Sequence, residues 1–197
     1  MTGIINYGAG NIFSLTAALN RLDISYGMIS RPEEIEGYHR YIIPGVGHAG
    51  AAMNKLKISG LAESITTLQK PVLGICVGMQ LLTSYSEEGN SALTGIIPLK
   101  NLHFDKKSKL KIPHTGWNKV RSEKTNPLFK GMNEEEYFYF VHSYYIEFNS
   151  KFTIASTEYG TKFSAVIQKD NFSGVQFHPE KSGSAGEQLL MNFSLLV

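Results

Sequence analysis

Residues 70–82 read KPVLGICVGMQLL, and this stretch decides the fold. The apolar run 72–75 predicts a strand buried on both faces, as central parallel strands are, and residues 78–84 predict a helix. Glycines two positions either side of Cys76 allow a sharp strand-to-helix turn that lifts a nucleophilic side chain clear of the sheet. The start of the helix also offers backbone N–H donors to an oxyanion. Cys76 is therefore the candidate nucleophile; the plain alternative is a buried cysteine in a glycine-rich turn.

Strands and helices alternate on the N-terminal side of this stretch. Short apolar strands are predicted at 3–7, 24–29 and 41–43, and helices at 12–22, 51–57 and 61–69. This order of elements is typical of a parallel sheet covered by helices.

The C-terminal half has a different pattern, with short runs rich in Tyr, Phe, Val and Ile. EYFYFVHSYYIEF, residues 136–148, predicts one long aromatic strand, and further strands are predicted at 152–156, 165–169 and 173–177, before a helix at 185–193. We therefore predict an α/β fold with a mostly parallel central sheet, helices on both faces and antiparallel edge strands. No repeat or linker interrupts the chain, so one domain over residues 1–197 is expected.

A candidate general base lies in QFHPE, residues 176–180, at the end of a predicted strand. Alternation along a strand puts Gln176, His178 and Glu180 on one side. A carboxylate beside a histidine can orient its ring and hold its charged form, as in Cys-His-acid triads. A structural histidine beside a solvated Glu180 is the alternative, but both motifs occur at strand ends, where open α/β sheets bind ligands.

PGVG, residues 44–47, follows the third predicted strand. The free N–H groups of Val46 and Gly47 can complete an oxyanion hole with the N–H of Val77. The same four residues also fit an ordinary turn between a strand and a helix.

Composition excludes several classes of protein. Of 197 residues, 42% are hydrophobic and 18% charged, which is inconsistent with disorder, and a net charge of +2 gives no basis for nucleic-acid or membrane binding. One cysteine excludes an internal disulfide and fits a reducing compartment. No targeting signal or histidine spacing for a metal is apparent. We expect a cytoplasmic protein with no metal and no cofactor.

Six segments together resemble the class I (triad) glutamine amidotransferases, and within that class most closely the glutaminase subunits of imidazole glycerol phosphate synthase. They run in order along the chain and cover essentially all of it: NYGAGN (6–11), PGVG (44–47), GICVGMQLL (74–82), IPHTGWN (112–118), YFVHSY (139–144) and QFHPEKS (176–182).

The resemblance implies a role for each matching residue. Cys76 would attack the side-chain amide of L-glutamine, His178 would act as acid and base, and Glu180 would orient His178. Ammonia leaves from a γ-glutamyl thioester, and water then releases glutamate. The implied glutamine-binding residues are Gly45, Gly47, Gln80, His142, Ser143 and Tyr144.

The resemblance also implies a heterodimer with a cyclase subunit. That partner is a (β/α)8 barrel, through which ammonia reaches a ribonucleotide in histidine biosynthesis. Residues at or near the contact would be Asn11, Trp117, Tyr139 and Lys181. The resemblance further implies that the N–H of the PGVG segment turns away from the oxyanion until the partner is engaged.

Three features depart from the family pattern: HAG at 48–50, Gly183 after HPEKS, and the basic stretch from Lys106 to Lys111. They leave the identity of the partner open, and three alternatives to the implied function are considered. The chain could be a paralogous glutaminase subunit that serves the amidation of bacterial surface sugars. It could also be a hydrolase of another class with a cysteine elbow, or a partner-binding module that has lost its chemistry.

Overall fold

One mixed sheet of 13 strands organises the part of the chain that the computed structural model describes, residues 1–105 and 110–196. The strands are β1 Thr2–Ile5, β2 Tyr26–Ile29, β3 Arg40–Ile43, β4 Val72–Ile75, β5 Thr83–Ser86, β6 Ser91–Ala92, β7 Ile97–His103, β8 His114–Ser122, β9 Glu135–His142, β10 Tyr144–Glu147, β11 Thr153–Glu158, β12 Lys162–Lys169 and β13 Phe172–Val175. The helices are α1 Ile12–Arg21, α2 Ala49–Ile58, α3 Leu61–Thr66, α4 Val77–Leu81 and α5 Gly183–Ser194.

Five strands form a parallel half in the order β2-β1-β3-β4-β13. All four residues of β4 and of β13 are buried, as expected for central strands. Helix α1 follows β1 and buries Leu15, Ala18 and Leu19, while the side chain of Asn11 caps its start by accepting from the N–H of Ser14 at 3.2 Å. The predicted fold class, α/β with a mostly parallel central sheet and antiparallel strands beside it, is confirmed.

An antiparallel half continues the sheet from β13 through β12, β10 and β7. A second path leaves β12 through β11 and β8 to β9. Fully buried phenylalanines of this half and its neighbourhood include Phe138, Phe140, Phe163 and Phe177. The ring of Phe140 contacts those of Phe163 and Phe177, and the ring of Phe138 stacks on that of Phe177.

Several predicted elements differ from the structure in their bounds, and the helix expected over 61–69, for example, ends at Thr66. The single strand expected over 136–148 is two strands, because β9 pairs with β8 whereas β10 pairs with β7 and β12, and the chain changes partner at Ser143. The helix expected to reach residue 84 ends at Leu81. There the hydroxyl of Thr83 donates to the carbonyl of Gln80 at 2.8 Å, and β5 begins.

The carboxyl ends of β1, β3, β4 and β13 meet at one edge, since neighbouring strands in this half are parallel. Residues 6–11, 44–47, 76 and 176–180 all follow these ends. The sheet therefore brings four of the sequence motifs to one place, as open α/β sheets do. None of the helices in residues 1–105 and 110–196 is long and apolar enough to cross a bilayer.

Candidate active site

Cys76 occupies a strained turn between β4 and α4. Its φ of +54° lies in the left-handed region, which a residue with a side chain rarely adopts. A Cβ at Gly74 would lie 2.5 Å from the carbonyl oxygen of Gly78, and a Cβ at Gly78 would overlap the carbonyl oxygen of Ile43. Both flanking glycines are therefore required by the close approach of backbone, which is the physical content of the elbow motif.

The thiol of Cys76 is free and only 4% of the residue is exposed. Its Sγ lies 3.9 Å from the carbonyl oxygen of Val141 and 3.9 Å from the amide nitrogen of Gln176, which donates to it. The sulfur thus lies between the end of β9 and the segment that carries His178. Cys76 lines the cavity described below.

His178 lies beside Glu180, with Nδ1 of the ring 2.8 Å from Oε1 of the carboxylate. Both side chains are almost fully buried. The contact arises because Pro179 begins a single 3-10 turn after β13, whereas the sequence predicted it from strand alternation. The backbone of His178 is fixed as well, since its N–H donates to the carbonyl of Tyr139 at 2.9 Å and its carbonyl accepts from the hydroxyl of Ser182 at 2.6 Å.

The surroundings of His178 favour its charged form. Burial alone lowers the pKa of an imidazole, but hydrogen bonds and charge from Cys76 and Glu180 outweigh it and raise the pKa of His178 to about 10. With Nδ1 directed at the carboxylate, Nε2 is the ring atom left for the sulfur. The arrangement can hold a proton on His178 at neutral pH and pass it to a leaving group.

A cavity of about 320 Å³ opens above Cys76. It is lined by Val46, Gly47, Cys76, Val77, Gln80, Glu88, Pro113, Val141, His142, Ser143, Tyr144, His178 and Lys181. The structure thus gathers nearly all the predicted nucleophile, oxyanion and substrate residues around one space. Gly45 is buried beneath it, and Glu180 lies behind His178.

Three lining residues were missed by the sequence analysis: Glu88, Pro113 and Val141. Pro113 belongs to the quoted IPHTGWN segment and Val141 to YFVHSY, so their motifs pointed to them. Glu88 had no such signal. Its Oε2 accepts from the N–H of Ala49 at 2.6 Å, which holds a carboxylate at the cavity wall.

The PGVG segment divides into a fixed half and an open half. The hydroxyl of Tyr7 donates to the carbonyl of Pro44 at 2.8 Å, and a Cβ at Gly45 would lie only 2.5 Å from the N–H nitrogen of Gly78. Val46, by contrast, is 40% exposed, and Gly47 has a φ of +87°. The backbone of Val46 and Gly47, whose N–H groups were predicted to bind the oxyanion, is therefore the half that can change direction, because glycine permits it.

The four predicted partner-contact residues lie around the same edge. Trp117 is 55% exposed and its ring lies 6.1 Å from that of half-buried Tyr139, on the paired strands β8 and β9. Lys181 is exposed and also lines the cavity. Asn11 lies next to Gly10, which packs closely against the start of the PGVG segment, since a Cβ added at Gly10 would lie 3.1 Å from the side chain of Pro44.

A larger cavity of about 900 Å³ lies elsewhere, on β8, β9 and β11. Its walls carry exposed ion pairs such as Lys119–Glu135 and Arg121–Glu134, and it contains none of the residues of the candidate triad. Within the described ranges, no group of three or more His, Cys, Asp or Glu side chains is placed to hold a metal ion. The chemistry therefore centres on the smaller cavity.

Comparison with known proteins identifies the family. Residues 4–196 match the family model described as glutamine amidotransferase class-I. The chain is a class I glutamine amidotransferase. The resemblance that the motifs indicated is confirmed over nearly the full length.

Similar curated proteins of nearly the same length are named imidazole glycerol phosphate synthase subunit HisH. The Bacteroides fragilis protein is 47% identical over 191 residues, covering 96% of each chain. The Pasteurella multocida protein is 47% identical over 190 residues, covering 96% of this chain and 95% of its own. This amidotransferase therefore belongs to the HisH family.

Solved structures agree on the fold. A glutamine amidotransferase superposes with a TM-score of 0.75 at 15% identity, covering 98% of this chain and 96% of its own. A second glutamine amidotransferase, from Thermotoga maritima, gives 0.66 at 16% identity, covering 98% and 81%. At such identities the likeness concerns the architecture of the amidotransferase fold alone.

Proposed function

We propose that this chain is the glutaminase subunit of an imidazole glycerol phosphate synthase, hydrolysing L-glutamine and passing ammonia to a cyclase subunit. The observation that carries the proposal is the buried contact of His178 with Glu180 beside the sulfur of Cys76, on the wall of a cavity sized for one amino acid. The names of the relatives supply the enzyme, imidazole glycerol phosphate synthase, and the resemblance of the motifs implies the pathway, histidine biosynthesis.

In the proposed reaction Cys76 is the nucleophile. Its sulfur forms a bond to the side-chain carbonyl carbon of glutamine, and the proton held on His178 goes to the amide nitrogen, which departs as ammonia. A γ-glutamyl thioester remains. Water then attacks the thioester carbon, His178 takes a proton from that water, and the C–S bond breaks to release glutamate. Glu180 keeps the ring oriented throughout, and these steps use no cofactor.

The carbonyl oxygen becomes negatively charged in both steps and needs donors. The N–H of Val77 opens helix α4 and has no partner within the helix, so it is available to this oxygen. Val46 and Gly47 line the facing wall and are proposed to supply the second donor. Loss of one such donor typically costs about 10²–10³ in kcat, so its delivery by the partner is a strong switch.

The remaining walls match the amino-acid end of glutamine. Glu88 offers a carboxylate to the α-ammonium group, and the backbone at Ser143 and Tyr144, where two strands separate, offers polar groups to the α-carboxylate. Gln80 lies one helical turn beyond Cys76 and contributes a side-chain amide. We propose these residues as the substrate site.

The exposed surface beside the cavity is proposed as the docking site of the cyclase in a heterodimer. Trp117 and Tyr139 form an aromatic pair of the kind that anchors interfaces, with Lys181 at the mouth and Asn11 near PGVG. Ammonia would leave through that mouth. The cytoplasm is the proposed compartment, because a reducing environment keeps the cysteine a free thiol.

The first experiment measures glutamate release from glutamine by the purified chain. It is run alone, then with the histidine-pathway cyclase from the same source and its ribonucleotide ligand, with Cys76→Ala as the matched control. Strong activation by the cyclase and ligand supports the glutaminase, the partner and the switch together. Absence of turnover in the assembled complex would overturn the proposal. Of the alternatives, surface-sugar amidation, a different cysteine hydrolase and a silent module, none is favoured by the names of the relatives.

A further inference from the structure

Two buried histidines face each other across strands β8 and β9. His114 and His142 are paired in register, and Nδ1 of the first lies 2.9 Å from Nε2 of the second. They are only 4% and 6% exposed. Neither ring has a place in the triad, yet His142 lines the cavity, so the pair is unexplained by the proposed chemistry.

The two histidines belong to a series of three hydrogen bonds that runs from Asn118 to the carbonyl of Tyr144, and the groups at its two ends determine which atom donates in each bond. The carbonyl of Tyr144 can only accept, so the hydrogen 2.8 Å from it belongs to Nδ1 of His142. Nε2 of His142 is then an acceptor, and Nδ1 of His114 donates to it. At the far end, Nδ2 of Asn118 lies 3.4 Å from Nε2 of His114, which accepts from it.

The orientation of Asn118 is itself fixed. Its Nδ2 also donates to the carbonyl of Glu158 at 2.9 Å, and its Oδ1 accepts from the N–H of Lys119 at 2.8 Å. In this series every group therefore donates to the next one, from Asn118 through the two histidines to the carbonyl of Tyr144 beside the cavity. This order holds only while both rings are neutral, and burial lowers the pKa of His114 to about 4 and of His142 to about 3.

The chain of hydrogen bonds continues into the substrate wall. The carbonyl of Tyr144 that accepts from His142 also accepts from Nε2 of Gln80 at 3.4 Å. Nε2 of Gln80 donates in addition to Oε1 of Gln176 at 3.3 Å, and Nε2 of Gln176 donates to the sulfur of Cys76 at 3.9 Å. One set of hydrogen bonds thus joins the histidine pair to the cavity wall and the nucleophile.

Packing fixes the ring of His114 in this role. It stacks on Tyr159, with ring centroids 4.0 Å apart and an angle of 19°, and on Phe140 at 4.9 Å and 24°. A phenyl ring would fill the same slot. The stacking therefore does not require the ring nitrogens of His114. Those nitrogens matter for the hydrogen bonds that they make.

We propose that His114 and His142 are positioning residues, which together hold the Tyr144 carbonyl and the Gln80 amide in the geometry that binds glutamine. The inference rests on the proposed glutaminase function. His142 acts directly on the carbonyl at the break between β9 and β10, and His114 acts through His142 by fixing its tautomer. Neither transfers a proton in the reaction.

Two variants of His114 separate positioning from structural support. His114→Phe keeps the stacked ring and removes the donor. His114→Asn loses the stacking but keeps a nitrogen donor at the position of Nδ1. Both are measured as the assembled complex with the cyclase, following glutaminase kcat and KM for glutamine, ammonium-dependent synthesis, and thermal unfolding.

We expect His114→Phe to raise KM for glutamine about tenfold. The kcat and the ammonium-dependent synthesis should stay within a few-fold of the unaltered protein. The reason is that misplaced binding groups weaken substrate binding more than they affect the nucleophile. His114→Asn should melt at a lower temperature yet keep KM close to the original. If KM instead follows the loss of thermal stability across the two variants, the pair is only structural and the inference fails. Absence of turnover by the unaltered complex would instead count against the proposed function.

Discussion

The phenolic hydroxyl of Tyr7 donates to the carbonyl of Pro44, 2.8 Å away, and so fastens the end of β1 to the segment that faces the nucleophile. Burial raises the pKa of Tyr7, and the charge of Cys76 raises it further, so the hydroxyl keeps its hydrogen at any physiological pH. The contact holds Pro44 and Gly45 against the elbow and leaves Val46 and Gly47 exposed. A partner that docks at this edge therefore meets the movable half of the segment first.

Replacing Cys76 by Ser tests whether ammonia production from glutamine is separate from the synthesis that consumes the ammonia. Serine keeps the size of the side chain but is a far weaker nucleophile without a stronger base, so glutamine-dependent turnover should fall by about 10³-fold or more. Synthesis from added ammonium salts by the same complex should continue. Loss of both activities in a folded protein would show that ammonia is not made here as a separate step.

Glu180→Gln should lower glutaminase kcat about 10²-fold or more and leave KM for glutamine nearly unchanged. The carboxylate accepts from His178 at 2.8 Å and helps raise the pKa of His178, so an amide weakens both the orientation of the ring and its charge. The matched control is Glu187→Gln, because that carboxylate pairs with Arg21 on the surface of α5. Steady-state kinetics of the complex that give equal losses for both variants would contradict the role of Glu180.

Gly78→Ala should destabilise the fold by about 1–3 kcal/mol and abolish glutaminase activity, because the added Cβ overlaps the carbonyl oxygen of Ile43. The control is Gly95→Ala. That position has a positive φ but nothing within 4 Å of the added atom, so it measures backbone strain without a clash. Thermal unfolding of both variants gives the comparison, and a smaller loss for Gly78→Ala than for Gly95→Ala would rule out the clash.

Exposed Trp117, packed against half-buried Tyr139, is the residue by which the proposed interface is tested. Trp117→Ala should weaken binding of the cyclase by about 10–100-fold, as central aromatic anchors do, with little change in the melting temperature. Ile58→Ala is the control, since Ile58 is an exposed apolar side chain at the opposite end of α2 from the cavity. Titration calorimetry with the cyclase measures both, and equal affinities for the two variants would place the interface elsewhere.

The sequence predicted the fold class and the residues around the cavity well, because glycine spacing and apolar runs report directly on turns and buried strands. It failed where the bounds of a strand depend on which neighbouring strands it pairs with. The strand over 136–148 could not be divided at Ser143 without knowing that β9 and β10 pair with different neighbours. Glu88 was missed since a carboxylate in a loop has no spacing signal. Of the basic stretch from Lys106 to Lys111, residues 106–109 lie outside the described residues.

The histidine pair makes stability depend on pH in a defined direction. Burial lowers the pKa of His114 to about 4 and of His142 to about 3, whereas in the unfolded chain both have a pKa of about 6.5. Between those values the unfolded state holds more protons than the folded one. The free energy of unfolding is therefore unaffected by these two histidines above about pH 6.5. As the pH falls below that value it decreases by about 1.4 kcal/mol per pH unit for each histidine.

His114→Phe removes one of these two titrations. The free energy of unfolding of this variant should fall with acidification less steeply than that of the original chain, by about 1.4 kcal/mol per pH unit between about pH 4.5 and 6. Urea unfolding of both proteins at several pH values measures the difference. Groups that do not contact His114 contribute equally to both proteins, and the pKa of His142, which His114 helps to lower, changes in the direction that reduces the slope further. Parallel slopes for the two proteins would mean that His114 is protonated in the folded state, and the directed chain of hydrogen bonds from Asn118 to Tyr144 would not exist as described.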